Sequence, residues 1–141
     1  MINRNYNARI IYDEIAPIIK NPFGNGSVQC YNMRNDVIIC SSDNTCSLEY
    51  NQLENKFRSR GCYPTREPSV YVYDGDSYTS FQIRCNRDLC NNEETYSQIK
   101  NILSKYSLTD NNGRRIANGN KQMVSLLLMS SALIFIICYF F

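Results

Sequence analysis

The sequence predicts a small, disulfide-rich, all-β fold of short hairpins, followed by a C-terminal hydrophobic helix. Three observations carry that expectation. Six cysteines, Cys30, Cys40, Cys46, Cys62, Cys85 and Cys90, fall within 61 residues of a 141-residue chain, a density that marks small secreted domains stapled by bridges. Between them lie short runs rich in Val, Ile, Tyr and Phe, punctuated by Asn, Asp and Gly, which is the pattern of strands joined by tight turns. Finally, residues 123–141 (MVSLLLMSSALIFIICYFF) form 19 consecutive positions without a charge.

The elements follow in order. Residues 1–20 carry Arg4, Arg9, Asp13, Glu14 and Lys20, so no apolar run there has the length of a signal peptide. The cysteines imply a secreted context, and a signal sequence is therefore expected in the native start. Ile10, Ile11, Ile15, Ile18 and Ile19 outline a short helix that Pro17 interrupts. Residues 1–27 read as an N-terminal extension, with Asn25 in an Asn25-Gly26-Ser27 glycosylation sequon.

A stubby first hairpin turns at Arg34-Asn35-Asp36 and returns through Val37-Ile38-Ile39; a second turns between Asn51 and Asn55. In its return strand Lys56, Arg58 and Arg60 alternate with Phe57 and Ser59, and a period of two puts the three cations on one face. That face is the candidate partner-binding surface, suited to acidic or aromatic groups. The competing reading is a charged edge that prevents strand-to-strand aggregation. The third hairpin is the clearest, with SVYVY (69–73) and SYTSFQIR (77–84) flanking Asp74-Gly75-Asp76, where Asp-Gly suits the positive φ of a tight turn.

Beyond the last of these cysteines, Tyr96, Ile99, Leu103 and Tyr106 recur at helical spacing. The stretch reads as a short amphipathic helix or as a stalk, within a stalk and attachment region at 93–122. Asn111, Asn112 and Gly113 supply small residues, Arg114 to Gln122 a nine-residue polar spacer, and 123–141 the hydrophobic run; together they fit a glycosylphosphatidylinositol (GPI) signal, with Asn111 and Asn112 as candidate attachment sites. A helix over 123–141 would reach roughly 28 Å at about 1.5 Å per residue, enough for a single-pass or tail anchor instead.

Composition removes several function classes. With no His, the Ser-His-Asp and Cys-His arrangements and most catalytic zinc sites are missing, so an enzyme is not expected and no cofactor or small-molecule substrate is implied. A net charge of +2 is too slight to argue for nucleic acid. The cysteines have no CxxC pair, which weighs against zinc, and free thiols are the remaining alternative. As disulfides, they permit about 15 connectivities by spacing alone.

Val28-Gln29-Cys30-Tyr31-Asn32, Cys40-Ser41-Ser42-Asp43, Gly61-Cys62 and Arg84-Cys85-Asn86-Arg87-Asp88-Leu89-Cys90-Asn91 occur in a telling order. This series resembles the three-finger (snake-toxin-like) domain of the lymphocyte-antigen/urokinase-receptor (LU, uPAR-type) family, over residues 28–92. The closing Cys-x-x-Asp-Leu-Cys-Asn is its most specific piece. Met33 stands where the family's second cysteine is expected, and its third, seventh and eighth have no counterpart. Those four form two bridges in the family, so the resemblance implies Cys30 with Cys46, Cys40 with Cys62, and Cys85 with Cys90.

What the resemblance implies for function is a GPI-anchored binding module on the extracellular face of the plasma membrane. Proteins of this kind modulate a membrane receptor or ion channel by docking finger surfaces onto it. A structural or trafficking role in cell junctions is the alternative, and a cytosol-facing tail-anchored protein with reduced thiols a further one.

Overall fold

The computed structural model describes residues 4–24, 26–75, 77–116 and the strand at 124–127. It is small, mostly β and disulfide-rich, in an arrangement compatible with a three-finger fold. β1 (Val28–Tyr31) and β2 (Val37–Cys40) make an isolated hairpin. β3 (Thr45–Asn51) and β4 (Lys56–Tyr63) make a second, and β5 (Ser69–Asp74) and β6 (Thr79–Cys85) a third. β3 also pairs with β6, so the last two hairpins fuse into one antiparallel sheet of order β4-β3-β6-β5-β7.

The turns have local causes. In the first, Asn35 sits at φ 65° and the Asn32 side-chain oxygen accepts from the backbone N–H of Arg34 and Asp36; Asn tolerates this left-handed conformation better than most side chains. Asn55, at φ 53°, does the same for the second. Gly75 in the third turn does not take the positive φ expected of it. Positive φ among the described glycines falls at Gly61 and Gly113; at Gly75 the Tyr73 ring folds over the turn, its hydroxyl oxygen 2.8 Å from where a Cβ would stand.

Three disulfides gather one end of the hairpins: Cys30–Cys46, Cys40–Cys62 and Cys85–Cys90, with Cα separations of 5.3, 5.6 and 6.2 Å. This is the pairing that the resemblance implies. The first two bridges touch, the Cys40 sulfur lying 3.1 Å from that of Cys30. The loop between β6 and the following helix sews the hairpins together. Leu89 N–H donates to Gln29 O, Gln29 N–H to the Asp88 carboxylate, and Asn91 bonds both Tyr31 and Ser47.

Among the described residues two helices complete the core. α1 (Arg4–Ile19) buries Ile11, Ile15 and Ile19, spaced one turn apart. The helix runs two residues past Pro17 rather than ending there, which brings Ile19 into the core. Its end is tied down where the backbone N–H of Asn86 donates to Ile19 O at 2.9 Å. α2 (Glu93–Lys105) starts at Asn92, whose side chain accepts from Thr95 N–H, and carries Glu93 and Glu94 against its positive end. It buries Tyr96, Ile99 and Leu103 against Leu48, Val70, Val72, Phe81 and Ile83 of the sheet. Of the two readings of this stretch, an amphipathic helix or a stalk, the helix is what forms over Glu93–Lys105, and the residues after it stay on the body of the protein, with Thr109 and Gly113 also buried. The 1–27 segment likewise supplies core side chains.

The hydrophobic tail departs from expectation where it is described. Val124–Leu127 is a strand, β7, paired antiparallel with Ser69–Val72 of β5. No helix among the described residues is long and apolar enough to cross a membrane. Residues 128–141 of the expected C-terminal helix lie outside the described residues.

Candidate interaction face

A pleated sheet sends alternate residues to opposite faces, and directly paired residues share a face. One face carries Leu48, Tyr50, Val70, Val72, Phe81 and Ile83, and the helices cover it. Tyr96 of α2 stacks on Tyr50 with centroids 4.2 Å apart and meets Phe81 edge-on at 5.1 Å. Burial pushes the Tyr96 and Tyr50 hydroxyls above the usual phenol range, so both stay neutral. The other face is not covered by the helices and carries Ser47, Glu49, Ser69, Tyr71, Tyr73, Ser80, Gln82 and Arg84, with the small Ser69 and Ser80 buried between their larger neighbours.

The expected cation row on β4 is broken. Glu49 pairs with Ser59 and Tyr50 with Phe57, which leaves Arg58 as an extra residue in a β-bulge. The bulge resets the alternation, so Arg60, opposite Leu48, lies on the helix-covered face while Lys56 and Arg58 do not. Arg60 is built into the structure. Its Nε donates to Asn91 O at 3.0 Å and Nη1 to Asn35 Oδ1 at 2.6 Å, and its guanidinium lies 4.8 Å from the Phe57 ring and 5.1 Å from the Tyr31 ring. Burial lowers its pKa. Lys56 pairs with Glu54 at 2.7 Å, both well exposed. The three residues therefore do three different things, and of them Arg58 is the one that contacts Glu49 and Tyr78 on the open face.

On that face aromatic rings and guanidinium groups interleave. Arg58 lies 4.3 Å over the Tyr78 ring and 3.9 Å from Glu49. Glu49 also accepts from the Tyr78 hydroxyl and, at 3.0 Å, from Ser80. Arg84 lies 3.7 Å over Tyr63 and 5.1 Å over Tyr71. Tyr71, Tyr73, Tyr78, Ser80, Gln82 and Arg84 line a shallow groove of about 510 Å³. Nothing in this arrangement pairs a nucleophile with a base; what it offers is wide amphipathic contact area with embedded positive charge, the composition of a protein-recognition surface. The alternation of Tyr71 and Tyr73 with Val70 and Val72 is legible in the sequence, but reasoning centred on the β4 cations missed Arg84, although Ser80, Gln82 and Arg84 alternate with Phe81 and Ile83 in the same way.

The remaining candidates fall elsewhere. Asn25 lies outside the described residues. Asn111 and Asn112 are exposed on a tight turn in which Asp110 accepts from the backbone N–H of Asn112 and Arg114. A bridge between Thr109 and Arg115 closes this turn, and Gln52 holds it by donating to Gly113 O at 3.0 Å. The sulfurs of Cys30, Cys40 and Cys62 lie within 4.8 Å of one another, a spacing metal ligands also show, but each is already in a disulfide. No protein-family model, curated protein or solved structure matches the chain.

Proposed function

We propose that this protein is an extracellular three-finger binding module of the LU type, tethered to the plasma membrane by a GPI anchor, that modulates a membrane receptor or ion channel. The observation that supports it most is the gathering of three hairpins by three disulfides at one end, with helices on one sheet face and the other left open. Bridges of this density belong to oxidising compartments, and an open Tyr/Arg face suits a partner rather than a substrate. The uncharged run 123–141 behind exposed Asn111 and Asn112 supports the anchor. Attachment at either asparagine requires the 109–115 turn to open, and it removes β7 from the sheet.

The test expresses the full chain, tagged at its N-terminus behind a borrowed signal sequence, in animal cells treated with phosphatidylinositol-specific phospholipase C. Loss of the surface tag is the expected result. A tag that stays on the surface after treatment overturns the lipid anchor in favour of a protein span. Reduced cysteines in the cell-borne chain overturn the extracellular module altogether.

A further inference from the structure

We propose that the open face of the five-stranded sheet docks an extended, carboxylate-bearing segment of a partner protein, with Arg84 as its anchor. The inference rests on the reading of the chain as a binding module and not on the type of anchor. Its basis is an imbalance on that face. Glu49 Oε1 is engaged by Arg58, Tyr78 and Ser80, so Arg58 already has a carboxylate beside it. Arg84 does not. Among the described residues its guanidinium meets no carboxylate and donates no hydrogen bond, although it carries five N–H donors in a rigid fork.

Two tyrosines hold this unspent group in place. Tyr63 at 3.7 Å and Tyr71 at 5.1 Å keep its plane packed without using its N–H groups. Ser69, opposite Arg84 across the β5–β6 pair, is 1% exposed and its hydroxyl has no hydrogen-bond partner among the described residues. A carboxylate accepting from Arg84 would satisfy the fork bidentately, the geometry that favours Arg over Lys. The tyrosine-lined groove running from Arg84 to Tyr73 and Tyr78 then takes the flanking residues of the segment. Tyr and Arg in such a surface are the residue types that dominate binding energy at interfaces. The β4 cations do not compete, because Lys56 is paired with Glu54 and Arg60 is locked beneath the first hairpin.

The experiment selects a phage-displayed library of random dodecapeptides on the purified full chain in detergent micelles, with its disulfides intact. Enriched peptides are expected to share an Asp or Glu beside apolar or aromatic residues. They should bind Arg84→Gln about tenfold or more weakly, and Arg84→Lys at an intermediate level, while Arg34→Gln on the exposed first turn leaves binding unchanged. Replacing the shared peptide Glu by Gln should cost a similar factor against the unaltered protein, which keeps the test decisive if the Arg84 variants do not fold. No enriched peptide, enrichment without an acidic residue, or equal binding to Arg84→Gln would each overturn the proposal. Because the selection is independent of the lipid, a failed phospholipase release with successful acidic selection removes the anchor and leaves the docking face standing.

Discussion

Asn91 is fully buried and uses its whole side chain: Oδ1 accepts from Tyr31 N–H at 2.9 Å, and Nδ2 donates to Tyr31 O at 2.8 Å and Ser47 O at 3.0 Å. It joins the first hairpin to the second where no strand pairing does. Asn91→Ala leaves three backbone groups short of partners, so an expected loss of about 2–4 kcal/mol should appear in the urea midpoint; a variant within about 0.5 kcal/mol of the native chain would refute that account. Glu14 makes a weaker junction between the helices, accepting from Lys105 Nζ at 2.8 Å and from the Tyr106 hydroxyl. Those two bonds hold its carboxyl below its ordinary value of 4.5, while the Glu14 carboxylate raises the pKa of both Lys105 and Tyr106. The folded chain therefore binds the Glu14 proton less readily than the unfolded one. The carboxylate's contribution is complete above about pH 4.5 and is lost as pH falls through the depressed value; the Lys105 and Tyr106 contributions are lost only as pH rises through their raised values. A fall in the amide protection factors of Ile15 and Ile19 on acidification should accordingly vanish in Glu14→Gln, and persistence of the acid response there would assign it to another group.

At the scale of elements, the strands were legible and the layers were not. SVYVY and SFQIR declare their period, and Asn35 and Asn55 announce their turns. The bulge at Arg58 left no local mark, because it is set by how β3 and β4 register around the Tyr50–Phe57 contact, whose rings meet edge-on at 5.3 Å. That single extra residue breaks the β4 row, and Arg84, two strands away on β6, is brought to the same face only by the strand pairing. α1 was legible as a helix but not as core, since its partners Ile99 and Leu103 lie some ninety residues away in sequence. Its burial makes a firm demand: Ile15→Ala, at a site 1% exposed, should cost about 2–4 kcal/mol in thermal or urea unfolding, whereas a detachable extension would lose nothing. β7 makes another. If Val124–Leu127 occupies the β5 edge in solution, truncation after residue 116 should speed hydrogen exchange at the Ser69–Val72 amides facing it, and unchanged protection would place the tail elsewhere.

For the whole molecule the question is whether bridges or burial hold the fold. A set of hairpins alone has too little interior to be stable, and the cysteines then have to supply most of the stability. This protein instead buries Ile11, Ile15, Ile19, Ile99 and Leu103 of its two helices with Leu48, Val70, Val72, Phe81 and Ile83 of the sheet in one cluster. The bridges lie at one end of that layer, and they differ in the loops they close: 16 residues for Cys30–Cys46, 22 for Cys40–Cys62 and 5 for Cys85–Cys90. Chain entropy assigns about 3 kcal/mol to each of the first two and about 2 kcal/mol to the last. The helices are tied to β6, β5 and β3, whereas the first hairpin is held by two of the bridges and by polar contacts with Asp88, Leu89, Asn91 and Arg60. Paired Cys→Ala replacement should therefore release the first hairpin before the helix-covered sheet. In the Cys30/Cys46 variant, amides of β1 and β2 are expected to lose protection while those of Phe81, Ile83 and Ile99 keep most of theirs. Simultaneous loss at all of these sites would show one cooperative unit governed by the bridges, and the helices would then be passengers rather than the second layer of the core.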